Sequence, residues 1–355
     1  MNISPTALTS FVTQIFRACG ATAAVAQEVS EHLVTANLKG HDSHGVGMIP
    51  TYVHNIGKGL LNTGAHAEVS TDRGAVLRVD GNAGFGQVVG REACDLAIAR
   101  VRDTGVVALA VRNAHHLGRI GHYAEHCAAA GLVSVHFVNV VGHEPQVSPF
   151  GGRERRMTTN PFCVAIPRAN ADPVVLDMAT SAIALGKVRV AHMKGEAVAD
   201  GVLVDHQGVP TNDPGVMYEA PFGSLGPFGG HKGYGLAVIC ELLGGALAGE
   251  WTAQPGQQRP GTVVNHMLQF IIDPGAFGGL AAFDAEASAM IDYLNSTAPA
   301  TGFDRVRVPG DPERETMSQR HSAGIPIDDN SWSGIVAAAE RAGVDGADIP
   351  AGDAL

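Results

Sequence analysis

Apolar positions in the first part of the chain follow helical spacing. Leu8, Phe11, Val12, Ile15 and Phe16 recur at steps of three and four, which places them on one helix face. Ser4 stands where an N-cap is needed, Pro5 suits the first turn, and Gly20 ends the run. A second helix is predicted from about Thr22 to Asn37, and a third from Pro50, so residues 4–75 read as helical. From about residue 75 the texture changes to strands alternating with helices. Strands are predicted over 75–80, 106–111, 133–140, 162–166, 174–176, 202–204 and 268–272. Helices are predicted over 87–104, 119–130 and 237–247, the first with Val88, Val89, Ala93, Leu96, Ala97 and Val101 turned inward. After about residue 280 the pattern returns to helices and polar loops. The expected organisation is a helical part over 1–75 packed with a helical part over 280–355, around an α/β region over 76–279.

Composition narrows the function classes. The 355 residues carry a net charge of −11, so no cationic surplus exists to neutralise nucleic-acid phosphates or an anionic membrane. No stretch approaches 18 uninterrupted apolar residues, and no basic, apolar leader is visible at the N-terminus. The five cysteines are scattered, odd in number and form no CxxC pair, which fits a reducing compartment and no structural zinc. A cytoplasmic protein without nucleic-acid, membrane or metal partners is expected.

Several constellations can carry chemistry. Asp42-Ser43-His44 sits in a loop bounded by Gly40 and Gly45, and reads either as a ligand-facing histidine or as an N-cap turn. The segment 113–119, with His115 and His116, follows a buried strand and precedes a helix, where α/β proteins place ligands. An imidazole there is suited to exchanging a proton with a carbinol or carbonyl oxygen, although a structural histidine fits equally. Gly229-Gly230-His231-Lys232-Gly233-Tyr234-Gly235 precedes the apolar helix and reads as a phosphate-binding turn or as a flexible connection. The glycines at 81, 84, 86 and 90 do not have the GxGxxG spacing, so they read as a tight turn rather than a Rossmann loop. His122, Glu125 and His126 match an inverted zincin pattern, which makes a zinc hydrolase the alternative function. With sixteen histidines in the chain, such a match arises readily by chance.

Taken together, Asp42-Ser43-His44-Gly45, Asn113-x-x-His116-x-Gly118, Thr159-Asn160-Pro161, Asp177-Met178-Ala179-Thr180-Ser181, Gly186-Lys187, His231-Lys232-Gly233-Tyr234-Gly235 and Pro309-Gly310-Asp311-Pro312-Glu313 resemble, in order, the type 2 malate/L-lactate dehydrogenases. The runs 40–50, 115–121 and 129–142 look closest to the hydroxycarboxylate dehydrogenase B subgroup. The resemblance spans nearly the whole chain. It implies a non-Rossmann α/β fold with a mixed, largely antiparallel central sheet, flanking helices from both chain ends, and a homodimer. It also implies hydride transfer between NAD or NADP and a 2-oxo or 2-hydroxy acid, of lactate or malate type or bulkier, such as an aryl-lactate or 2-hydroxyglutarate.

By position, the resemblance makes His116 the acid–base group, with Ser43 and His44 in the same pocket and His44 close to the nicotinamide. It assigns cofactor contacts to Gly118, Arg119 and Ile120, and to Val175, Leu176, Asp177, Met178 and Ala179. Further contacts fall on His231, Lys232 and Asn265, and on Gly310, Asp311, Pro312 and Glu313. One position departs from the pattern. Many members carry an arginine for the substrate carboxylate where this chain has Met48, and a thioether cannot form that charge-assisted fork. Arg119 is the expected replacement, and Met48 is expected to make the substrate pocket more apolar.

Overall fold

The structure, a computed structural model, describes residues 1–345, 349 and 350, so the end of the expected C-terminal part lies outside the described residues. The N-terminal helices are α1 (Pro5–Ala18), α2 (Ala23–Leu38) and α3 (Ile49–Gly57). Ser4 caps α1 as its sequence predicts, its side chain accepting from the Ala7 amide. The predicted stripe of α1 is fully buried: Leu8, Phe11, Val12, Ile15 and Phe16 are each no more than 1% exposed. Each such side chain contributes about 1.5–3 kcal/mol by leaving water.

Among the described residues a seven-stranded sheet forms the centre. Its strands are β1 (Glu68–Asp72), β2 (Val76–Asp80), β3 (Val106–His115), β4 (Val133–Val141), β5 (Phe162–Ile166), β6 (Val174–Met178) and β7 (Val264–Ile272). The spatial order is β1-β2-β3-β7-β4-β5-β6. Only β2 and β3 run parallel, joined through α4 (Gly86–Thr104); all other neighbours are antiparallel. The expected mixed, largely antiparallel sheet is therefore present. One face packs on α4 and α5 (Gly121–Ala129), where Cys94 on α4 donates to Gln269 on β7. The opposite face meets α7 (His231–Cys240) and the π-helical turns Glu241–Gly249, with His266 of β7 against Gly249.

Between α5 and α7 lies α6 (Leu185–Lys194), and the C-terminal region carries α8 (Leu280–Asn295), α9 (Asp311–Ala323) and α10 (Asp329–Ala342). The two chain ends meet. α1 and α3 pack on α10, α2 packs on α9, and Asn2–Ile3 pairs with Ile325–Pro326.

The structure departs from the sequence reading in identifiable places. Residues 58–75 are not helical. The chain leaves α3 at Gly57 and forms β1, an edge strand whose residues are almost all exposed, so no apolar alternation reveals it. Leu96 on α4 is 40% exposed rather than inward. β3 runs four residues past the predicted end and β7 starts four earlier, because Val264 and Asn265 pair with His115 and Ala114 beyond the apolar runs. The helix expected over 237–247 begins at His231 and continues as the π-helical turns to Gly249. Strand 202–204 appears as Leu203–Val204 in a small sheet with Pro210–Thr211 and Ser224–Leu225.

Candidate active site

The end of β3 delivers His115 and His116 to the edge of the core. The start of α4 lies against them so tightly that a Cβ on Gly86 would come within 2.4 Å of both their carbonyl oxygens. His115 is tied down: its Nε2 lies 3.0 Å from Asn55 Nδ2 and 2.9 Å from Thr262 Oγ1. His116 is held differently. Its Nδ1 lies 2.6 Å from the Tyr52 hydroxyl of α3, which in turn accepts from Gln87 Nε2 of α4 at 2.8 Å. Burial, reinforced by His44, His115 and His143, pushes the His116 imidazole well below its ordinary range.

Ser43 and His44 arrive on a single 3-10 turn, Asp42–His44. Asp42 accepts from Asn37 at 2.7 Å and pairs with Arg320 of α9, while Asn37 Oδ1 receives the Val46 amide at 2.8 Å. Ser43 Oγ lies 2.9 Å from His44 Nδ1. The His44 ring stacks on His116, centroids 5.5 Å apart and planes 27° from parallel. Burial lowers the His44 imidazole to about 4, against the nearby Asp177 carboxylate, which pulls it upward. Burial thus disfavours the charged form of both of these facing imidazoles.

A cavity of about 530 Å³ opens beside His44; His116 does not line it and meets it only through the His44 ring stacked on it. Ser43 and His44 line it, with the turn Gly118, Arg119 and Ile120 before α5. Asp177, Met178 and Ala179 line it from the end of β6, and Pro312 and Glu313 from the first turn of α9. Asp177 Oδ2 accepts from the Gly121 amide at 2.7 Å, which ties the β6 end to the α5 start. Sequence positions far apart therefore converge on one volume.

Other expected residues take other places. Val175 is buried in the sheet core, and Leu176 pairs with Val164 on β5. Gly310 caps α9 with a left-handed backbone, and Asp311 is occupied by the Val308 amide and Arg314. Asn265 accepts from the Leu117 amide at 2.8 Å and donates to the Asn139 carbonyl at 3.0 Å, clamping the segment after His116 to the sheet. His231 and Lys232 are exposed at the start of α7 and do not line this cavity, and the glycine turn expected there is partly the first turn of that helix. Met48 is half-buried against the helical core and also does not line the cavity, so it does not make its wall apolar.

Arg119 corrects an expectation. Its guanidinium is 2% exposed and closes on Glu125 through both terminal nitrogens, at 3.0 and 2.8 Å, with Asp177 3.7 Å from Nε. The fork that would grip a substrate carboxylate is already occupied. Lys39 also binds Glu125, at 2.6 Å. Burial alone would raise the Glu125 carboxyl, but Arg119 and Lys39 hold it down to about 2.

The same contacts dismantle the zincin reading. Glu125 is a structural anion, His126 reaches outward to Asp95 at 2.6 Å, and the His122 ring packs against His32 with centroids 4.3 Å apart and planes tilted by 34°. Among the described residues no group of three or more histidine, cysteine or acidic side chains is arranged to hold a metal ion.

Sequence reasoning missed Tyr52 and Gln87, and gave Lys187, which stands in the Gly186-Lys187 motif, no role. Gln87 had a signal, being a polar residue beside the predicted inward face of α4. Tyr52 had none, because a fully buried tyrosine in a helix reads as core.

Comparison with known proteins places these observations. A family model for malate/L-lactate dehydrogenase matches residues 3–336. The chain is 46% identical to hydroxycarboxylate dehydrogenase B of Escherichia coli K12, over 95% of this chain and 93% of that protein. It is 42% identical to an L-lactate dehydrogenase of Cupriavidus necator, over 90% of this chain and 92% of that protein. Among solved structures, a malate/lactate dehydrogenase structure from E. coli superposes with a TM-score of 0.93 at 44% identity, covering 98% of this chain and 97% of that one. Sulfolactate dehydrogenase of Methanocaldococcus jannaschii superposes with a TM-score of 0.86 at 32% identity, covering 97% and 98%. Among the described residues no helix is long and apolar enough to cross a membrane.

Proposed function

Because the chain belongs to the malate/L-lactate dehydrogenase family, we propose that it is an oxidoreductase interconverting a 2-hydroxy acid and its 2-oxo acid with a nicotinamide cofactor, NAD or NADP. The observation that carries this reading is a cavity of about 530 Å³, within the range that takes a cofactor-sized ligand, lined by His44, on whose ring His116 stacks. The residues that would hold the cofactor are Gly118, Arg119 and Ile120, the β6 end from Asp177 to Ala179, Pro312 and Glu313, and His44. The bound cofactor supplies the hydride in reduction and receives it in oxidation.

The protein supplies position and a proton. His116 protonates the carbonyl oxygen as the ketone is reduced and removes the hydroxyl proton in the reverse direction. His44, oriented by Ser43, forms the adjacent wall. The substrate carboxylate is taken by Lys187 on the first turn of α6. Lys39 and Arg119 are bound to Glu125 and His41 to Glu313, whereas Lys187, among the described residues lining the cavity, is the permanent cation without an ion pair. Its neighbour Gly186 stands against Ser43, a Cβ there lying 3.6 Å from the serine Cβ.

The five cysteines are free thiols, in keeping with a cytoplasmic enzyme. Ile239, Leu242 and Leu247 are exposed along the α7 and π-helical run, a surface suited to a second copy in a homodimer.

Following NADH and NADPH absorbance against a panel of 2-oxo acids tests the function directly. Oxidation of one cofactor with at least one acid is expected; no turnover with any acid overturns the reading.

A further inference from the structure

We propose that Tyr52 and Gln87 are positioning residues that keep the proton on Nδ1 of His116 and so confine proton exchange to Nε2; the proposal rests on the reading of His116 as the acid–base group. The three side chains form a line from α4 through α3 to the end of β3. Gln87 Nε2 lies 2.8 Å from the Tyr52 hydroxyl, and that hydroxyl lies 2.6 Å from His116 Nδ1. Tyr52 and Gln87 are fully buried, so water does not substitute for either bond.

A hydroxyl carries one hydrogen, so the setting at one end dictates the setting at the other. While Gln87 presents its N–H, the Tyr52 hydrogen must point to Nδ1. The neutral ring then carries its hydrogen on Nε2, where it can donate a hydrogen bond but cannot accept a proton. After a half-turn of the Gln87 amide, Oε1 faces the hydroxyl. Tyr52 then donates to Gln87 and accepts from Nδ1–H. In that setting both useful forms exist: the imidazolium, which gives its Nε2 proton to a ketone oxygen, and the neutral ring with an open Nε2, which takes the proton of an alcohol. Nδ1–H stays in place throughout, and only the Nε2 proton moves. Gln87 Oε1 is buried without a partner in the present orientation, which is the acceptor the second setting requires. Which ring nitrogen of a histidine reacts is set by what the other one binds.

Tyr52 packs against Phe16 and Phe85, contacts a phenylalanine would keep. Tyr52→Phe is expected to fold, to bind NADH or NADPH unchanged, and to retain its Michaelis constant for the 2-oxo acid. Its turnover should fall on the order of 10–100-fold. The imidazolium loses its acceptor, so the limb along which reduction fades with rising pH should move to lower pH. Gln87→Glu places an acceptor permanently against the Tyr52 hydroxyl and should move the same limb to higher pH. Opposite shifts from two buried substitutions are not what general loosening of the core would produce. If Tyr52→Phe leaves turnover and pH profile unchanged, or both variants shift the limb in one direction, while His116→Ala abolishes turnover, the relay is wrong and the acid–base reading stands. If His116→Ala itself retains turnover, the acid–base reading falls and the relay with it. Should Tyr52→Phe not fold, Gln87→Glu and Gln87→Met carry the same test, the second expected to follow Tyr52→Phe in direction.

Discussion

Arg119 and Glu125 form a bidentate pair, 3.0 and 2.8 Å between their polar atoms, in which the arginine is almost wholly withdrawn from solvent. The pair bridges the turn that follows His116 and helix α5, and Lys39 of the loop after α2 joins it. A buried guanidinium left without its carboxylate is costly, because the charge has lost water and gained nothing in return.

Replacing Glu125 with alanine should therefore destabilise the protein by about 3–5 kcal/mol. Chemical denaturation of the variant measures this. Unchanged stability, with a raised Michaelis constant for the 2-oxo acid, would mean that Arg119 serves substrate after all.

Lys187→Ala should raise the Michaelis constant for the 2-oxo acid about 10–100-fold, the worth of one charge-assisted hydrogen bond of about 1.5–3 kcal/mol. Cofactor affinity, read by nicotinamide fluorescence, should stay constant. A loss of cofactor affinity instead would place the lysine on a cofactor phosphate.

Acid should unfold the protein well before its carboxylates titrate. Burial lowers His115 and His266 to about 4 and His136 to about 3, from an ordinary value of 6.5. Between those values the unfolded chain binds more protons than the folded one, so stability rises with pH. The contribution is complete above about pH 6.5 and is lost as pH falls toward 4, at roughly 1.4 kcal/mol per pH unit for each fully neutral folded histidine. Melting temperatures at pH 7, 6, 5 and 4.5 should fall progressively. A flat profile across that window would show that these imidazoles are not held neutral.

Gly86→Ala should damage both stability and turnover. The added methyl would meet the backbone oxygens of His115 and His116, which cannot rotate away as a side chain could. Overpacking of this kind costs about 1–3 kcal/mol, and the displacement would fall on His116, the proposed acid–base group. Retention of full activity would show that the α4 start does not position His116.

Much of the scaffold was legible along the chain. The stripe of α1, the long helix α4 and the apolar strands announced themselves because burial on one face imposes a period that neighbouring residues share. His116 was also placed correctly beside a strand end, since an apolar run followed by polar residues and a helix start is a local pattern. The exposed edge strand β1 and the polar extensions of β3 and β7 were hidden for the converse reason: their pairing partners, not their own apolar periodicity, make them strands.

What the sequence alone determined, then, was which apolar-patterned segments are helix or strand and which of them carry reactive side chains. What only the tertiary structure decided was which groups those side chains meet. Arg119 is free to be a substrate anchor until the fold sets Glu125 upon it, and Met48 is a pocket residue until it turns to the helical core. Tyr52 lies 64 residues from His116 in the chain, yet their polar atoms are 2.6 Å apart. Local patterns report the burial of a face because water acts on each residue as it stands. A hydrogen bond needs two groups within about 3 Å and correctly aimed, and that condition exists only after distant segments have packed.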